Sequence, residues 1–280
     1  MEKAIKKYFP IFVLPTMLAF AIGFIAPFLL GIYLSFCKFT TVTDAKFIGI
    51  SNYTKILGDS VFIHSLWYTA LFTVVSVILI NVLAFIVAMF LTKGIRGTNV
   101  FRTVFFMPNL IGGIVLGTVW LLIFNGILSR FDLALRISTK FGFWGLVILI
   151  CWQQIGYMMI IYIAGLQSIN PALHEAANID GASKWQSLIH VTIPNLMPSI
   201  TICTFLTLTN GFKLFDQNLS LTNGEPMKST ELLALNIFNT FYGRNGFKGV
   251  GQAKAVLFFL LVVALGLIQL HFTRSKEVEG

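Results

Sequence analysis

The chain is 280 residues long, 56% hydrophobic and only 11% charged, with 28 phenylalanines. A soluble domain carries about 25% charged residues, so this chain has too few to cover a water-facing surface of its own size. The formal net charge of +9 does not mark a nucleic-acid binder, because the basic residues are scattered at the ends of apolar runs rather than gathered on one face.

A helix rises about 1.5 Å per residue, so about 20 apolar residues cross a hydrocarbon core about 30 Å thick. By that ruler the sequence predicts six spans, at 10–36, 66–92, 104–124, 142–166, 199–220 and 253–273. The first four contain no Asp, Glu, Lys or Arg, whereas the fifth holds Lys213 and Asp216 and the sixth begins on Lys254. Alternation at period two is absent, which excludes a β-barrel. The first run follows Lys3, Lys6 and Lys7 as a signal peptide would, and Ala19-Phe20-Ala21 resembles a cleavage site. It nevertheless continues to residue 36, beyond the about 7–15 residues of a signal core, and is read as a retained helix. The expected fold is an all-α integral membrane protein, one membrane domain over residues 1–280.

An even number of spans puts both ends on one side. Lys3, Lys6 and Lys7, with the tight cluster Lys93, Arg96 and Arg102, assign that side to the cytoplasm. The raw count runs the other way, with nine Lys and Arg inside and eleven outside or in the fifth span. The outer charges sit in longer loops, and the first helix often dominates orientation. The outer loops are then 37–65, 125–141 and 221–252, and the inner ones 93–103 and 167–198.

Polar side chains inside a bilayer are costly and so mark a pathway by default. The fourth span carries Gln153, Gln154 and Tyr157 behind Trp152, and the fifth carries Asn210, Lys213, Asp216 and Gln217. By helical rise Gln153 lies roughly 16 Å below the outer end of its span and Asn210 roughly 15 Å below that of its own. Gln153 and Tyr157 share a face at i, i+4, as do Asn210, Lys213 and Gln217 at i, i+3, i+7. Amides with aromatics suit a neutral polyol, which needs directed hydrogen bonds and a flat apolar face. The plainer alternatives are that Lys213 snorkels outward or pairs with Asp216, that the glutamines bridge helices, and that Tyr157 and Trp152 only pack. Asn81 reads as interhelical glue, and Gly113-x-x-x-Gly117 as a close helix contact, with dimerisation one use of it.

Loop 167–198 is the most patterned segment. Asn170 before Pro171 is a helix start, and Asp180-Gly181 a stop after residue 179. A second short helix is expected at about 182–189, before Pro194. Ala172, Ala176 and Ile179 fall on one face, with Ala177 beside them, so a small-residue surface is open to another protein's groove. The alternative is a connector lying on the membrane. Glu175 either orients this loop or meets the partner, and His174 and His190 are expected to face water. His64, His174, His190 and His271 show no metal-ligand spacing, the isolated Cys37, Cys151 and Cys203 no metal or redox pairing, and nothing resembles a catalytic nucleophile–base pair.

Glu175-Ala176-Ala177, then Asp180-Gly181-Ala182, then Val191-x-Ile193-Pro194 resembles the "EAA" signature of binding-protein-dependent ABC importer permeases. Ile48-Gly49-Ile50-Ser51-Asn52-Tyr53, Phe101-Arg102-x-x-Phe105-Phe106-Met107-Pro108 and Leu221-Thr222-Asn223-Gly224-Glu225-Pro226 followed by Thr230 are similar to its carbohydrate-type branch. Within that branch the likeness is to the maltose-type F, glycerol-3-phosphate-type A and multiple-sugar permease subunits. Val191 and Ile193 stand for the usual Ile and Leu, and Glu225 for a usual second Gly.

The resemblance implies a type I permease fold in a bacterial cytoplasmic (inner) membrane, importing a sugar or sugar-like solute. It implies that the loop is a coupling helix docked on a cytoplasmic ATPase. The implied partners are a second homologous permease, two ABC ATPase subunits and an extracytoplasmic solute-binding protein, besides the lipid bilayer. No G-x-x-x-x-G-K-[ST] run occurs, so ATP and Mg belong on the partner ATPase, and no cofactor, metal or catalytic residue is assigned to this chain. The rival functions are an ion-gradient-driven carrier or channel and a membrane-embedded enzyme.

Overall fold

Without water, every backbone N–H and C=O must be paired inside the protein, which leaves helices or closed barrels as spanning structures. The structure, a computed structural model, meets this demand with helices. It describes residues 2–94 and 96–274; the side chains of Lys3, Lys6 and Lys7 lie outside the described residues.

Helix α1 (Glu2–Phe20) passes through a π turn (Ala21–Ile25) into α2 (Ala26–Ser35), the wide turn accommodating Pro27, which has no N–H to give. A two-residue hairpin follows, β1 (Cys37–Lys38) with β2 (Lys46–Phe47), then α3 (Ser51–Leu57) and α4 (Ser60–Leu91). Next come α5 (Thr98–Phe106), α6 (Gly113–Leu128) and α7 (Thr139–Ser168). The loop helices are α8 (Pro171–Ile179), α9 (Lys184–Ser187) and α10 (Ile193–Asn195), followed by α11 (Met197–Phe212), α12 (Leu233–Gly243) and α13 (Lys248–Arg274). Among the described residues five helices are long and apolar enough to cross a membrane, and six if the pair Lys184–Asn195 and Met197–Phe212, bent by 69°, counts as one span. The all-α expectation stands, and the six-span count holds when that bent pair is taken as one span.

Two expected spans are broken. Run 104–124 is broken, because α5 ends at Phe106, a 3-10 turn (Met107–Leu110) holds Pro108, and the crossing helix begins at Gly113. Run 199–220 is also broken, because α11 ends at Phe212 and helix resumes only at Asp216. The second loop helix starts at Lys184, behind a Ser183–Gln186 capping box, and not at residue 182. It does not stop before Pro194 but continues by a π turn (Leu188–Thr192) into α10, whose first turn takes the proline.

The chain forms two compact units. In the first, Met1–Ser60 with Ile237–Leu260, the buried Asn52 amide donates to the carbonyls of Ser35 (2.8 Å) and Cys37 (2.9 Å). Lys254 is fully buried there, with its ammonium 2.8 Å from Asp59 and 2.9 Å from the Thr240 hydroxyl.

In the second unit, Val61–Asn236 with Leu261–Gly280, the core joins α4, α7 and α11 through residues such as Phe72, Ile80, Ile150, Met158 and Cys203. Tyr162 donates to Asn81 Oδ1 (2.7 Å), and Asn81 Nδ2 donates to the Thr207 hydroxyl (3.0 Å). Asn81 is thus interhelical glue. Glycines set the closest approaches: a Cβ on Gly117 would meet Ser220, one on Gly165 would meet Ser199, and one on Gly156 would overlap the Phe105 carbonyl. The Gly113-x-x-x-Gly117 face is therefore used within the chain.

Gly156→Ala should destabilise the protein, because the obstacle is backbone. Gly126→Ala, with open space at its Cβ, should be neutral or stabilising by up to about 1 kcal/mol. Thermal unfolding of both variants in detergent checks this, and equal melting temperatures would refute the packing argument.

Candidate functional site

The break after α11 builds the site. Asn210 and Gly211 are weak helix formers, and α11 gives way at Lys213 (φ −84°, ψ 4°). Residues 213–215 are non-helical, a π turn covers Asn218–Thr222, and Asn223 ends it in the left-handed region (φ 51°). Side chains hold this short segment. Arg136 donates from Nε to the Leu221 carbonyl (3.0 Å) and from Nη2 to that of Ser220 (2.8 Å). Asn218 donates to the Thr230 carbonyl (2.8 Å) and accepts the Leu232 N–H (2.9 Å). The Glu225 departure is conformationally harmless, since Gly224 takes the left-handed conformation (φ 79°) and Glu225 does not.

Above the break lies a cavity of about 390 Å³, lined by Asn109, Gln153, Gln154, Asn210, Lys213, Asp216 and Gln217, with Leu214 and Phe215. Its polar wall is partly wired: Gln217 Nε2 donates to Gln153 Oε1 (2.7 Å), and Gln153 Nε2 to the Ile111 carbonyl (3.3 Å). Gln154 is 8% exposed, and its buried Oε1 has no partner. Lys213 and Asp216 are exposed; among the described residues neither charged group has a hydrogen bond or ion pair. The expected Lys213–Asp216 pairing is therefore absent, and the two opposite charges stand free on one wall.

Six of the seven pathway candidates thus converge. Tyr157 does not line the cavity; it is 37% exposed, with its ring 6.4 Å from that of Phe106. Trp152 packs edge-on against Trp120 at 5.6 Å. Asn109 and Phe215 were missed. Asn109 follows Pro108 inside an apolar run, and that proline was the available signal of a break.

Loop 167–198 forms a separate feature. Asn170 Oδ1 accepts the Ala172 N–H (3.0 Å), and Gly181 (φ 76°) closes α8 with the Ala182 N–H on the Ala177 carbonyl (2.9 Å). Ala172, Ala176 and Ile179 are exposed and Ala177 half-buried, with Ile179 at 86%. Glu175, Asp180 and Gly181 are exposed, and Ala182 and Pro194 half-buried. The exposed Glu175 carboxylate makes no hydrogen bond or ion pair among the described residues. His174 does not face water freely: it is half-buried and its Nδ1 lies 3.2 Å from the Ser187 hydroxyl, tying α8 to α9.

Residues 80–278 match the family described as Binding-protein-dependent transport system inner membrane component. A probable starch degradation products transport system permease protein of Thermoanaerobacterium thermosulfurigenes is 42% identical, over 96% of this chain and 94% of its own. The multiple sugar-binding transport system permease protein of Streptococcus mutans is 29% identical over 99% of both chains. The trehalose/maltose transport system permease protein of Thermococcus litoralis is 28% identical over 95% of this chain and 93% of its own. In fold, the chain superposes on a bacterial ABC transporter involved in import of the acidic polysaccharide alginate, with a TM-score of 0.83 at 19% identity and 98% of both chains covered.

Lys213→Cys and Asp216→Cys should react with a polar thiol reagent at the rate of exposed thiols in the purified protein. The native cysteines are all buried and should stay unmodified until denaturation. Protection of both introduced thiols, read by mass spectrometry, would contradict an open cavity.

Proposed function

We infer the function from a family premise: the chain belongs to the binding-protein-dependent transport system inner membrane component family. On that premise it is a multi-pass permease subunit of an ABC importer and not itself an enzyme. Its proposed solute is a neutral sugar or oligosaccharide. The relatives are named for starch degradation products, multiple sugars, and trehalose and maltose. Five amides around one free cation and one free anion suit a ligand with many hydroxyls and no net charge. The pathway residues are Gln153, Gln154, Asn210, Lys213, Asp216 and Gln217, joined by Asn109.

The whole chain acts as one membrane domain with both termini in the cytoplasm, alongside a second permease, two ATPase subunits and a solute-binding protein outside. ATP and Mg are handled by the ATPases. The observation that carries the coupling role is the exposed small-residue face of α8, set between the Asn170 cap and the Gly181 turn. A groove on the ATPase would cover Ala172, Ala176 and Ile179, and closure of the ATPases would push on residues 170–189 and reopen the cavity inward.

Ala176→Trp should abolish uptake while leaving insertion and thermal stability unchanged, because its side chain points into open space. Gly181→Pro should do the same to uptake, since proline fixes φ near −65° where 76° is needed. Unimpaired uptake of a labelled maltooligosaccharide by the Ala176→Trp transporter would sink the coupling role.

A further inference from the structure

The first unit carries a second concavity, which the solute path does not use. Hairpin β1–β2 sets Lys38 directly opposite Lys46, both exposed, although like charges facing across strands are destabilising. Lys248 brings a third ammonium, donating to the Thr40 carbonyl at 2.8 Å. One carboxylate answers these three cations. Asp44 accepts the N–H groups of Thr40 (2.8 Å) and Thr41 (2.9 Å). Those bonds chiefly, and Lys248 in addition, hold its carboxyl below the usual carboxylate range. Lys38, Phe39, Thr40, Asp44, Lys46 and Gly246 enclose a hollow of about 300 Å³. Exposed Phe47, Ile50 and Tyr242 belong to the same unit.

In the topology proposed above this cluster is extracytoplasmic, in the outer loops 37–65 and 221–252, where membrane orientation asks for no basic residues. Orientation therefore does not account for these lysines, and neither does internal pairing. A shaped, cationic hollow on a unit with exposed aromatics has the makeup of a protein-recognition surface.

We propose that this hollow is a docking point for an acidic side chain of the extracytoplasmic solute-binding protein, with Lys38 and Lys46 holding its carboxylate. The proposal rests on the importer reading above. A flat anionic lipid surface would use the charges and leave the hollow without purpose. The family description names a binding protein, and a transporter of this fold has been crystallised in complex with a periplasmic protein bound to an alginate pentasaccharide.

The test uses the complete transporter in phosphatidylcholine nanodiscs, titrated with the solute-binding protein of the same system while ATP hydrolysis is followed. Lys38→Glu/Lys46→Glu should raise the half-maximal receptor concentration about tenfold and flatten its dependence on salt. Lys38→Arg/Lys46→Arg should stay close to wild type, and so should Lys140→Glu, an exposed charge elsewhere. A double-Glu curve that superposes on wild type would overturn the proposal. So would a defect that requires phosphatidylglycerol and persists without receptor, which would make the ligand a lipid headgroup. If receptor fails to stimulate even the wild-type complex, the importer reading itself falls, and this proposal with it.

Discussion

A backbone polar group taken out of water without a partner costs roughly 2–7 kcal/mol, and the candidate site depends on how that cost is met. A membrane chain can break a helix only where the freed groups are buried in protein or line a wet cavity. Here the break at 213–215 lines a cavity on one side. On the other, Arg136 takes the carbonyls of Ser220 and Leu221, and Asn218 bonds Thr222, Thr230 and Leu232. Arg136 spends a charged guanidinium on backbone carbonyls, an economical choice because charge-assisted hydrogen bonds are about twice as strong as neutral ones.

Close packing then brings the parts of the site together. Gly113 and Gly117 allow α6 to lie directly on the segment after the break, and Gly156 seats α7 against the α5 backbone at Phe105. Two broken segments are thereby pressed toward α7 from different parts of the sequence. Asn109 from the first and Lys213–Gln217 from the second face Gln153 and Gln154 across one cavity.

Much of this was legible in the sequence, and the failures share a cause. Apolar runs report burial in lipid, so the number of spans could be read, but hydropathy is blind to continuity. Runs 104–124 and 199–220 looked like whole helices, although each is interrupted near Pro108 and Lys213. Gln153 and Asn210 do line one cavity, although the count of helical rise that sets them at a common depth runs across the break at 213–215. Face arithmetic failed for Tyr157, since Gln153 is buried by contacts from Gln217 and Ile111 that do not extend one turn further. Loop 167–198 was the most readable part, because Asn170, Pro171 and Gly181 act locally as cap, first-turn residue and left-handed stop. The π turn at Leu188–Thr192 has no comparable one-residue signal.

The proposed coupling loop and the cavity are joined by one element. Helix α11 follows the 69° bend after Asn195 and runs 16 residues to the cavity edge, about 24 Å at helical rise. Its two ends are held by small contacts, Ser199 against Gly165 near the loop and Gly211 against Thr73 near the cavity. A Cβ on either glycine would collide with its neighbour, and Asn81 on Thr207 ties the helix to α4 between these two seats. Held closely at both ends and tied between them, α11 is one continuous connection from the loop to the cavity. On the importer reading proposed above, a displacement of α8 would reach Asn210 and Lys213 through this helix. Lys213, which caps α11 and has no ion pair among the described residues, could follow such a displacement without breaking one.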